Sequence, residues 1–201
     1  MNKIGILGIV VSVLLTACAT LPPPSNVNNL CSIFRQYPDW YRATQDVSVR
    51  WRVPVTVQMA IMHQESKFDA NAMPDRTKLL WVIPWKRPSS AYGYSQALRG
   101  TWDLYRHSRG GVFASRDNFD DAVDFIGWYA DEAYKRARIP RNNPYLLYLA
   151  YHEGVGGYQR KTYLKKPWLI GVAHKVSARE QLYRAQLAHC TLSRTAHTWK
   201  L

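Results

Sequence analysis

Between Asn118 and Pro140 the chain carries a pattern that suits a helix and not a strand. Ala122, Ile126, Ala130 and Ala133 recur at three- and four-residue intervals, which places them along one helical face. Asn118 or Asp117 supplies a side-chain oxygen for the free N–H groups of the first turn, and Pro140 ends the run. The pattern predicts a helix over about Phe119–Arg138. Similar punctuation recurs elsewhere. Pro54 fits the first turn of a helix running to about Ser66, where its missing N–H costs nothing. Asn143-Pro144 opens another helix that should end at Gly154, and Ser177-x-x-Glu180 reads as a capping box for the last one. No convincing strand run or hairpin dipeptide interrupts them, and Asn71–Ala91, which has Pro and Trp but no periodicity, reads as a long loop. The expectation is a mainly α domain with little or no β-structure.

With 201 residues, 47% of them apolar and including eight Trp and thirteen Tyr, the chain can bury one sizeable core, which excludes a disordered protein. Its formal charge of +13 favours polyanionic partners: nucleic acid, anionic lipid or the carboxylate-bearing cell wall. The first residues choose among these. Lys3 precedes an apolar run, Ile4 to Leu15, too short to span a bilayer but laid out like an export leader. It ends in Leu15-Thr16-Ala17-Cys18, which resembles a bacterial lipobox. That resemblance implies cleavage before Cys18, acylation of its sulfur and new amino terminus, and a membrane tether. Ala19 in the next position favours the outer membrane, with the domain facing the periplasm.

An exported protein should not read nucleic acid, so the nine basic residues between Val155 and Leu201, opposed only by Glu180, suggest a solvated basic face, attraction to anionic wall polymer, or both. Residues 1–17 are thus expected to be a leader, and 18–32, rich in Pro, Asn and Ser, a lipidated spacer; 33–201 would be the folded domain. In an oxidising compartment the remaining pair, Cys31 and Cys190, is a candidate disulfide closing a loop of about 160 residues, worth about 3–5 kcal/mol. No Cys/His cluster has metal-ligand spacing.

The chemistry centres on PVTVQMAIMHQES. Val57, Ile61 and Glu65 are four residues apart, so a carboxylate ends the face directed at the core, in the last turn where the helix dipole disfavours an anion. Both effects predict a raised pKa, which suits a group that protonates a glycosidic oxygen. An exposed Glu at a frayed helix end is the alternative.

Three segments then resemble the motifs of the soluble lytic transglycosylase family, whose fold is lysozyme-like, in the family's order. Trp51–Ala72 with Glu65-Ser66 resembles the first. Gly93-Tyr94-Ser95-Gln96 resembles its Gly-Leu-Met-Gln motif, and Ala150-Tyr151-His152-Glu153-Gly154 its Ala-Tyr-Asn-x-Gly motif. Phe119–Tyr129 is similar to the helix that joins the second and third.

The resemblance implies a helical domain with a groove that binds the glycan strand of peptidoglycan. Glu65 would be the single acid/base, producing 1,6-anhydromuramic ends without cofactor, metal or water. Ser66, Gly93, Tyr94 and Gln96 would line the groove, and Tyr151, if not simply a core aromatic, would orient Glu65. His152 and Glu153 depart from the family pattern. If Glu153 points into the cleft it is a second carboxylate and hydrolysis becomes possible; if it points to solvent it is surface charge. His152 is expected to be structural. Trp81 and Trp85, in a loop longer than usual for the family, would either roof the groove or pack the loop itself. A wall-binding lipoprotein without turnover is the reading from another class. The sequence names no protein partner.

Overall fold

The computed structural model describes residues 20–75, 78–79, 83–84 and 89–192. Among them the chain forms α1 (Leu30–Gln36), α2 (Pro38–Trp51), α3 (Val55–Ser66), α4 (Arg99–Tyr105), α5 (Phe119–Ala137), α6 (Pro144–Gln159) and α7 (Pro167–Ala188). A π-turn (Arg106–Gly110) extends α4, and a 3-10 turn (Thr162–Lys165) joins α6 to α7. Inside the stretch expected to be loop, β1 (Lys78–Leu79) and β2 (Ile83–Pro84) pair antiparallel, two residues each. The protein is mainly α, as the punctuation predicts.

α3 is the centre of the packing. Val57, Met59, Ala60, Ile61 and Met62 are all at most 1% exposed, because VTVQMAIM is apolar on nearly every side. A helix of that kind is stable only when others surround it, and α3 packs against α2, α5, α6 and α7. α2 and α5 pack closely at Gly127, where a Cβ would lie 2.4 Å from Trp51 and 2.6 Å from Val47. Buried Asp124 joins three elements there, accepting from Trp51 Nε1 (2.8 Å), Arg50 (2.9 Å) and the Tyr105 hydroxyl (2.9 Å). Asn118 caps α5 by accepting from the Asp121 N–H (3.1 Å), and Asn143 caps α6 from the Leu146 N–H (3.0 Å).

Three expectations need correction. α7 begins at Pro167, ten residues before Ser177, so the apparent capping box lies mid-helix. Its Glu180 is turned inward instead, 3% exposed, accepting from Thr56 (2.7 Å) and pairing with Arg184 (2.5 Å). α6 does not end at Gly154: that residue breaks the helix at φ 72°, ψ 153°, a conformation reserved for glycine, and helical bonding resumes to Gln159. Finally, from Thr20 onward the Pro/Asn-rich segment lies along the domain. Tyr37 donates to the Pro22 carbonyl (2.7 Å), Gln186 to that of Asn28 (3.1 Å) and Tyr183 to that of Val27. Cys18 and the leader lie outside the described residues. Cys31 and Cys190 form a disulfide that joins α1 to the chain just past α7, across 159 residues.

Candidate active site

α3 stops abruptly. Lys67 (φ 51°) and Phe68 (φ 66°) are both left-handed, and the fully buried Phe68 ring anchors the reversal. Ser66 closes the end: its hydroxyl donates to the Met62 carbonyl (3.3 Å) and accepts from the Phe68 N–H (3.1 Å). The stop leaves Glu65 where the buried helix reaches the edge of the core. Burial raises its carboxyl from the ordinary 4.5 to about 7, partly offset by the Tyr148 hydroxyl, which favours the anion. At neutral pH this acid is therefore divided between proton donor and proton acceptor.

The hydroxyl that favours the Glu65 anion belongs to Tyr148, one turn before Tyr151 on α6. Its phenol is pushed far above the ordinary range by burial and by the Glu65 charge. Tyr151 is also raised, by burial first and then by Glu65, so it lies within electrostatic reach of the acid. Its hydroxyl, however, donates to the Ser95 carbonyl (2.7 Å). Tyr129 fixes the same part of α6 by donating to the Ala150 carbonyl (2.6 Å). Tyr145, Tyr148 and Tyr151 share one helical stripe, and that spacing was the one signal that could have pointed to Tyr148.

A family model described as Transglycosylase SLT domain matches residues 6–190. The chain belongs to this family. No curated protein matches it. Transglycosylases of the SLT family act on peptidoglycan, so the substrate class follows from membership.

In this SLT domain the second motif is a support for the site more than a groove floor. Tyr94 is 2% exposed, packed edge-on to Trp40 and Phe119 with both ring centroids 5.6 Å away, so it belongs to the core and is not placed to touch a glycan. Gly93 (φ 76°) permits a close approach, but of the Arg116 backbone: a Cβ would lie 2.0 Å from the Arg116 carbonyl oxygen. Gln96 is half-buried, and its amide nitrogen donates to the carbonyls of Ala72 (2.8 Å) and Gly93 (2.9 Å), tying the motif to the chain that follows α3.

The third motif holds the other carboxylate. The Glu153 side chain is 4% exposed, and both of its oxygens are engaged by neighbours other than Glu65. Lys166 (2.7 Å) and His152 (3.0 Å) meet one of its oxygens and Thr162 donates to the other. Burial alone would raise its pKa, but these partners outweigh burial and bring it down to about 2. Both expected positions for Glu153 are corrected: it is an internal anion bound to three neighbours. Trp81 and Trp85 lie outside the described residues.

Proposed function

We propose that the protein is a lytic transglycosylase that cleaves the β-1,4 bond between N-acetylmuramic acid and N-acetylglucosamine and leaves a 1,6-anhydro end, with Glu65 as its single acid and base. The observation that carries this reading is the Glu65 carboxyl itself, at about 7 with its burial and Tyr148 as the influences on it, while Glu153 is committed to Lys166, Thr162 and His152. Protonated Glu65 gives its proton to the glycosidic oxygen as the bond to C1 breaks, and the N-acetylglucosamine O4 leaves as an alcohol. The resulting carboxylate, stabilised by the Tyr148 hydroxyl, takes the proton of the C6 hydroxyl as that oxygen bonds to C1. The acid is regenerated and no water is consumed. A pKa near the working pH suits a group that must do both steps.

The α6–α7 face supports an anionic polymer as ligand. From Arg141 to Leu192 the acidic residues are Glu153 and Glu180, both turned inward, while Arg160, Lys161, Lys165 and Lys175 are exposed. We place the protein in the periplasm as an outer-membrane lipoprotein acylated at Cys18. The leader pattern supports that location, and so does the Cys31–Cys190 disulfide, which persists in an oxidising compartment.

Digestion of purified peptidoglycan followed by mass spectrometry tests the reaction. Anhydromuropeptides are expected, and reducing ends would make the enzyme a muramidase instead. Glu65→Gln should lower turnover by about 10²–10⁴-fold. Absence of turnover by the unaltered protein would leave a binding lipoprotein.

A further inference from the structure

His152 and Glu153 have no part in the chemistry above, yet their contacts are specific. His152 lies one turn beyond Tyr148 on α6, and Tyr148 and Glu65 are close enough to shift each other's pKa. Its ring meets the indole of Trp168 edge to face, centroids 5.1 Å apart at 79°. Trp168 stands in the first turn of α7 and is 57% exposed, a large apolar surface for a residue that usually buries most of itself.

The segment bearing Trp168 is fixed. Lys166, the residue before Pro167, pairs with Glu153, whose second oxygen accepts from Thr162 in the 3-10 turn. Pro167 sets the backbone at the first position of α7. Behind the clamp, Gly157 leaves no spare room, since a Cβ there would lie 3.1 Å from both Glu153 Cβ and Thr162 Oγ1.

We propose that Trp168, backed by His152 and held by the Glu153–Lys166–Thr162 clamp, is a stacking platform for a sugar ring of the glycan strand on the α6 side of Glu65. The face of a pyranose ring presents C–H groups, which complement the negative face of an indole and lose little by leaving water. Exposed Lys161 and Lys165 on the same turn would meet carboxylates of the stem peptides. Glu153 and His152 are then positioning residues. The platform rests on the reading of the protein as acting on peptidoglycan. An anionic lipid surface is the competing occupant, because Leu164, four residues before Trp168, is 60% exposed. The glycan is favoured because the indole is anchored to the same helix ridge as the Glu65 site.

The test is binding of purified insoluble peptidoglycan by the full chain carrying Glu65→Gln, so that nothing is cleaved. Adding Trp168→Ala should weaken binding about tenfold, the scale on which truncating a Trp at a binding surface acts, with an unchanged melting temperature. Trp168→Phe should stay within about threefold of the parent. Adding Glu153→Gln should weaken binding less than Trp168→Ala does, with a lowered melting temperature. Equal peptidoglycan binding by the Trp168→Ala and parent proteins would overturn the platform. So would a loss confined to vesicles of phosphatidylglycerol and phosphatidylcholine. Turnover retained by Glu65→Gln alone would defeat the catalytic reading instead, and the two failures are separately visible.

Discussion

The end of α3 and the junction between α6 and α7 each shelter a glutamate, and the two carboxyls differ by some five pH units in opposite directions from the ordinary value. Glu65 rises to about 7 and Glu153 falls to about 2. Burial pushes both upward. What separates them is the company: Glu65 has one neutral hydroxyl, from Tyr148, whereas Glu153 has an ammonium, a hydroxyl and an imidazole. A sheltered carboxyl without a cation becomes an acid near neutral pH, and one with a cation becomes a fixed anion that fastens structure. The same residue type thus yields a reactive group in one place and a fastening in the other.

The largest expected effect on stability breaks the Glu65 side of this contrast. A carboxyl whose folded pKa exceeds its unfolded value contributes fully below about 4.5, and that contribution is lost as pH rises through about 7. Glu65→Gln should therefore stabilise the protein at pH 8 by about 3 kcal/mol, and by almost nothing at pH 4. Denaturant titrations at the two pH values measure this, and an equal effect at both would mean the carboxyl is not perturbed. The Glu153 side behaves oppositely. Its depressed pKa contributes stability above about 4.5 that disappears as pH falls through about 2. Lys166→Met leaves the anion without its ammonium and should cost about 1–3 kcal/mol at pH 7, the half-exposed lysine being partly screened by solvent. The cost should shrink in acid.

Two smaller changes sharpen the comparison. Tyr148→Phe removes the hydroxyl that favours the Glu65 anion, so the alkaline limb of the pH–rate profile should move up. Tyr151→Phe, which releases the Ser95 carbonyl, should leave the limb nearly in place while lowering the melting temperature. Thr162→Val should have the slightest effect, a loss of about 1 kcal/mol in chemical denaturation, because Lys166 and His152 still hold Glu153.

Much of this was legible in the sequence. Caps and prolines located α3, α5 and the start of α6 because those signals act within a few residues. Glu65 stood out at the end of an apolar face, but that pattern also fitted an exposed residue at a frayed helix end, and it was the three motifs in order that selected it. The partners were not legible. Tyr148 and Tyr151 share one stripe, and which hydroxyl reaches Glu65 depends on how α6 is rotated against α3, a tertiary property. Ser177-x-x-Glu180 misled for the same reason: Thr56, 124 residues away, and Arg184 claim the carboxylate that local reading assigned to a cap. Glu153 was ambiguous because its partners Thr162 and Lys166 come from the following turn.

The Cys31–Cys190 bond has a kinetic side. Docking α1 onto α7 is among the longest loop closures in the chain, and such contacts form late because their entropy is lost before any packing is gained. Once oxidised, the unfolded chain is already a ring, so each refolding begins with those two segments neighbours. Leu30, whose N–H donates to the Gln186 side chain (2.8 Å), then finds its partner by local search instead of by diffusion of the chain ends. Reduction should accordingly slow recovery from denaturant more visibly than it alters the folded structure.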